Sequence, residues 1–124
     1  MNIKNTIGFV ALLGLFTIFS GCRKDPAILK VFVRSSSNQL IPGARVVVVG
    51  DQQSTPPTQN FVDTVYTNSS GFAIMDMDQY FDAYPNDGTT GYFDIYVEHN
   101  NKVASGNTRC RVQTTSVETI YLPN

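Results

Sequence analysis

Histidine is almost absent from this chain, cysteine is scarce and charge is thin. One His (His99) and two Cys (Cys22 and Cys110) in 124 residues fall short of the three or four convergent nitrogen and sulfur ligands that a usual zinc site needs, so no metal site is expected. Serines are plentiful, yet no Gly-x-Ser-x-Gly elbow occurs to present one to a base, which leaves a serine hydrolase unsupported. Charged residues make up 15% of the chain with a net charge of −1. They form no basic stripe, so nucleic acid is not an expected partner. No amphipathic helical pattern and no long internal repeat follow the first 19 residues. The residues thus offer no catalytic constellation and call for no cofactor, and a non-enzymatic protein is the expectation.

What is present begins at the N-terminus. Lys4 gives a short charged start, and Ile7–Phe19 is an apolar run. The run is too short for an ordinary membrane-spanning helix of ~20 residues but has the length of a signal-peptide core. Ser20 and Gly21 follow, small enough for a peptidase to approach the backbone, and then Cys22. This order of charge, apolar run, two small residues and cysteine resembles the bacterial lipoprotein signal, or lipobox, with Phe19 where the family more often has Leu. The resemblance implies that 1–21 is a helical leader that is removed. Cys22, carrying a thioether-linked diacylglycerol and an N-acyl chain, would become the first mature residue. Two or more acyl anchors suffice for stable membrane attachment, at ~0.8 kcal/mol per buried CH₂. Arg23 is not the Asp that retains many such proteins at the inner membrane, which points to the outer membrane. Lys24-Asp25 resembles in part the export signal of surface lipoproteins in Bacteroidota-type bacteria, with Pro26 in place of a second acid. The domain is therefore expected on the periplasmic face or the cell surface, its membrane partner reached through the lipid on Cys22.

Loss of the leader, which holds Lys4 and no acid, leaves 103 residues with a net charge of −2, enough for one modest core. Residues 22–26 form a tether of under ~20 Å at full extension, and 27–124 form the domain. Val, Thr, Tyr and Phe are frequent, a strand-favouring bias. Ala27–Arg34 sets Leu29, Val31 and Val33 against Ile28, Lys30, Phe32 and Arg34, as one buried face requires. Pro42-Gly43 suits a type II turn, and Ala44–Gly50 is a β-branched run. Asp51–Asn60, with two adjacent prolines, reads as a solvated loop. Phe61–Thr67 and Phe72–Met77 read as strands around an Asn68–Gly71 turn, and Gln79–Tyr84 is ambiguous between helix and strand. Beyond the Pro85–Gly88 turn, Phe93, Ile95 and Val97 alternate with Tyr92, Asp94, Tyr96 and Glu98. An Asn100-Asn101 turn leads to Lys102–Ser105, Gly106-Asn107 reads as a break, and Thr108–Val112 and Thr114–Leu122 complete the set. Seven or eight short strands between turn signals predict an all-β antiparallel sandwich.

Two segments carry a further likeness. Asn38–Val48 has a polar turn followed by Pro-Gly-Ala-x-Val, and Thr67–Ile74 has Thr-x-x-x-Gly-x-x-apolar. Together they resemble the carboxypeptidase regulatory-like family. The resemblance implies a prealbumin-like (transthyretin-like) Greek-key β-sandwich of about seven strands. The family's motifs are structural, so no catalytic residue carries over. The related hydrolase that acts on hydroxyisourate ends in Tyr-Arg-Gly-Ser, whereas this chain ends in Ile120–Asn124. A ring-cleaving dioxygenase on a related sandwich takes two Tyr and two His at its iron, and this chain has one His.

The remaining candidates are weighed against plainer roles. His99 reads as a strand-end surface residue. Asp76, Asp78, Asp82 and Asp87 cluster after the fourth strand. Asp76-Met77-Asp78 resembles the opening of a calcium loop, but Tyr80 and Phe81 stand where a ligand and a glycine belong. Solvated turn and edge aspartates are the default. Lys30, the one strand lysine that could form a Lys–Asn crosslink, alternates to the more polar face. Asp63-Thr64-Val65 resembles a three-residue O-glycosylation signal. Cys110 is left without a partner if Cys22 is lipidated, and a buried small apolar role suits it. The aromatics Tyr66, Tyr80, Phe81, Tyr84, Tyr92 and Tyr96 could form a stacking surface for a glycan or a peptide. Of these, Tyr80, Tyr84, Tyr92 and Tyr96 are the candidate ligand-binding residues. The expected function is an envelope-anchored binding or assembly module. The alternative is a carbohydrate- or peptide-binding accessory of an outer-membrane uptake complex.

Overall fold

A computed structural model describes residues 24–124. Residues 1–23 lie outside the described residues, and with them the expected leader and the expected lipidation site at Cys22. Seven strands and one short helix follow in order: β1 (Ile28–Ser35), β2 (Arg45–Gly50), β3 (Val62–Tyr66), β4 (Phe72–Asp76), α1 (Asp78–Ala83), β5 (Thr90–His99), β6 (Lys102–Arg111) and β7 (Thr115–Leu122). They form an all-β sandwich. One sheet has the order β4-β1-β7, the other β3-β2-β5-β6.

Period-two alternation drives the layering. Leu29, Val31 and Val33 on β1, Val46 and Val48 on β2, and Phe93, Ile95 and Val97 on β5 all point inward and are almost wholly buried. Each such side chain contributes ~1.5–3 kcal/mol on leaving water. The turns agree with their residues: Gly43 and Gly71 hold positive φ (72° and 77°), and Asn100 and Asn101 share the left-handed region at the β5–β6 hairpin. The two motif segments also meet. The buried Thr67 hydroxyl donates to the Ile41 carbonyl (2.7 Å) and accepts from the Ala44 N–H (2.8 Å), fixing the crossing from β1 to β2.

Four expectations change. The sandwich is not wholly antiparallel: β1 and β7 pair in parallel from Ile28↔Thr115 to Ser35↔Leu122. Residue alternation specifies which face is buried but not which way a neighbouring strand runs. Gly106-Asn107 does not break β6, which continues through Gly106 opposite Ile95. A Cβ on Gly106 would lie 2.5 Å from Ile120 Cδ1, so the glycine makes room for the facing sheet instead. Gln79–Tyr84 resolves largely as helix, burying Tyr80 and Phe81. The 51–60 segment is only partly solvated. Thr58 is buried, and its Oγ1 accepts from the Tyr92 N–H (2.8 Å).

Candidate functional site

The outer faces are where ligands can reach, and the four-stranded one is built from three strand pairings. Tyr66, Arg45, Glu98 and Val103 align in one row across β3, β2, β5 and β6, with Thr64, Val47, Tyr96 and Ser105 in the next. Val103, Tyr66 and Val62 are each more than 60% exposed and Tyr96 is 49% exposed, unusual for side chains of that size. A shallow trough of about 410 Å³ is lined by Arg45, Val47, Tyr96, Glu98, Val103 and Ser105. Its charges are matched: Arg45 Nη2 meets Glu98 Oε2 at 2.7 Å across the β2–β5 pair. Chemically, the trough can take an extended segment with an apolar or aromatic side chain, while the Arg–Glu pair offers a donor and an acceptor at its edge.

The four candidate tyrosines do not share this surface. Tyr80, on α1, is only 3% exposed and sits at the centre of an aromatic cluster. Its ring centroid lies 5.0 Å from Phe93, 5.2 Å from Phe81 and 5.7 Å from Phe61, all edge to face. The Gln59 N–H donates to its hydroxyl at 3.0 Å, and burial pushes the hydroxyl pKa up. Tyr80 is a core residue and presents no face to a ligand. Its place on a helix, where its side chain turns into the sandwich, is the reason. Tyr84 is half-buried against Tyr80, and its hydroxyl donates to the Asn60 carbonyl (2.8 Å). Tyr92 is half-buried on the outer face opposite Arg109, away from the trough. Tyr96 alone of the four lines the trough. Sequence reasoning grouped them by proximity in the chain, whereas Val47, Val103, Arg45 and Glu98 join Tyr96 only through strand register. The outward phase of Val47 and Tyr96 on their strands was the available signal.

The other candidates fall in separate places. His99 ends β5 opposite Lys102. Asp78 Oδ1 accepts from the Ala27 N–H (3.1 Å) and Asp76 Oδ1 from the Asp78 N–H (2.9 Å), so both organise the start of α1 and the entry to β1. Among the described residues, no group of three or more His, Cys, Asp or Glu is placed to hold a metal ion. Cys110 is a free, buried thiol, and burial pushes its pKa up to about 11 against a weaker opposing bond from Ser116. Lys30 is on the outer face of the three-stranded sheet. That is the more polar face of β1, as alternation predicts, and there the Lys30 ammonium lies 4.1 Å from the Phe72 ring centroid and 5.1 Å from that of Phe32.

No family model matches the chain, and no curated protein matches it. Among solved structures, a mutant catechol 1,2-dioxygenase of Acinetobacter radioresistens is similar at 10% sequence identity and a TM-score of 0.49. The match covers 82% of this chain and 53% of that protein, so the chain spans about half its length. A likeness at that level says nothing of activity.

Proposed function

We propose that this chain is a lipid-anchored lipoprotein of the bacterial cell envelope, held to the outer membrane through Cys22, and a non-enzymatic binding or assembly module. The anchor reading rests on the order of Lys4, the Ile7–Phe19 run, Ser20-Gly21 and Cys22. The carboxypeptidase regulatory-like reading draws support from the Thr67 hydrogen bonds that join its two motif segments. The observation that carries the binding role is the apolar trough around Tyr96 and Val103, open to solvent on the four-stranded sheet. Its shape suits an extended segment of an envelope protein. The exposed Tyr66 and Tyr96 rings on the same face favour a second reading, a glycan- or peptide-binding accessory of an outer-membrane uptake complex.

The test is affinity purification of the lipidated protein from its native envelope, beside V103D and C22A. The proposal expects V103D to lose the co-purifying partner while keeping its thermal unfolding transition, and C22A to leave the membrane fraction. Full retention of the partner by V103D would sink the trough, and membrane retention of C22A would sink the anchor. Loss of the partner after deglycosylation of the envelope would favour the glycan reading.

A further inference from the structure

The three-stranded sheet also leaves its outer face uncovered, and its chemistry differs from that of the trough. Registers place Ile28, Ile74, Val117, Phe72, Phe32 and Tyr121 together on it. Ile74, Val117 and Tyr121 are each more than half exposed. Its charges are Lys30 and Arg34, with Asp76 only at the end where β1 begins. Among the described residues the one ion pair is Arg45–Glu98, on the other sheet, so neither cation here is matched by a carboxylate. Lys30 holds its ammonium over the Phe72 and Phe32 rings, so the cation is carried on an aromatic surface.

We propose that this face lies against the lipid surface to which Cys22 is anchored, with aromatic and aliphatic side chains at the headgroup level and Lys30 and Arg34 on lipid phosphates. The proposal rests on the lipid-anchor reading above. Two observations select this occupant. The first is reach: six residue steps separate Cys22 from Ile28, at most ~20 Å of chain. β1 is the central strand of this face and begins where the tether ends, so the face can lie flat within the tether's length. The second is charge. Lys24 and Pro26 emerge beside Asp25, Asp78 and Asp82. A domain standing on that end would press carboxylates toward phosphates, whereas lying on β4-β1-β7 turns them aside and brings the two cations down. Basic and aromatic side chains together are what interfacial surfaces use.

The chain has no tryptophan, which makes a single introduced indole a clean reporter. V117W, I74W and V103W place it at positions more than half exposed, the first two on the proposed lipid face and the third in the trough. Each lipidated variant is reconstituted into vesicles of phosphatidylethanolamine and phosphatidylglycerol, with and without bromine-labelled acyl chains, and floated. V117W and I74W are expected to lose most of their emission to the brominated lipid while V103W keeps it. Flotation with equal or reversed quenching would overturn this orientation and leave the anchor standing. Failure of all three to float, with C22A behaving identically, would overturn the anchor and the orientation with it. Shielding of V117W from an aqueous quencher without quenching by brominated lipid would overturn the proposal in favour of a second copy on this face.

Discussion

The two sheets line one core from opposite sides and are almost alike on their inner surfaces. They part on their outer ones. The four-stranded sheet carries a trough whose charges, Arg45 and Glu98, satisfy each other. The three-stranded sheet carries aromatics and two cations without a carboxylate partner. Burial thus constrains inner residues to one chemistry, while each outer face is free to suit whatever lies beyond it. A matched pair suits a surface that meets water and a protein or glycan, and unmatched cations suit an anionic one.

Inner and outer positions of β1 are expected to differ most. Leu29→Ala, in the core, is expected to cost ~2–5 kcal/mol of unfolding free energy in a urea titration. Lys30→Ala, one residue away, should cost under about 1 kcal/mol, the range of a cation on exposed aromatic rings. Next comes the seam where β6 meets β7. Burial pushes the Cys110 thiol up to about 11 from an ordinary value near 9.0, and the neutral thiol is the form the core accepts. Its contribution to stability is complete below pH 9 and is lost as pH rises toward 11, on the order of 2–3 kcal/mol at 1.36 per pKa unit. Tyr80, also raised, acts with the same sign. Cys110→Ala should therefore flatten the alkaline limb of a stability-versus-pH curve, and an unchanged limb would assign that loss to other groups.

Smaller effects test what joins and distinguishes the sheets. Thr67→Val removes the hydroxyl that serves both Ile41 and Ala44 at the β1–β2 crossing. It should cost ~1–3 kcal/mol by chemical denaturation, because the buried Ala44 N–H and the part-buried Ile41 carbonyl both lose their partner. The smallest difference is between the outer cations. A double-mutant cycle on Arg45 and Glu98 is expected to give ~0.2–1 kcal/mol that fades with added salt. A cycle on Lys30 and Phe72 should give ~0.5–1 kcal/mol. A strong, salt-insensitive Arg45–Glu98 coupling would contradict the half-exposed setting of that pair.

Much of the sandwich was legible locally. Leu29, Val31 and Val33, and then Phe93, Ile95 and Val97, alternate without interruption, and Gly43, Gly71 and Asn100-Asn101 stand at turns that need their conformations. Gly106 misled because its reason lies across the core: Ile120 of β7 fills the space a side chain would take. Tyr80 misled because a segment ambiguous between helix and strand left its direction open, and a six-residue helix turned it among Phe61, Phe81 and Phe93. Tyr96 was named as a candidate, but its neighbours Arg45, Val47 and Val103 come from 50 residues earlier in the chain or from across a hairpin, and only register assembles them.

Alternation and turn propensity act over a few residues, so the all-β class, the inward set of each main strand and the turns are readable along the chain. The sequence also carries the lipobox-like order around Cys22, which needs no fold to be read. The parallel run of β7 beside β1, the place of Tyr80 in the core and the grouping of outward residues on one surface emerge only in the folded chain. Those outcomes depend on how distant strands pair and pack, and pairing is a property of two segments at once. No single stretch of the chain holds it.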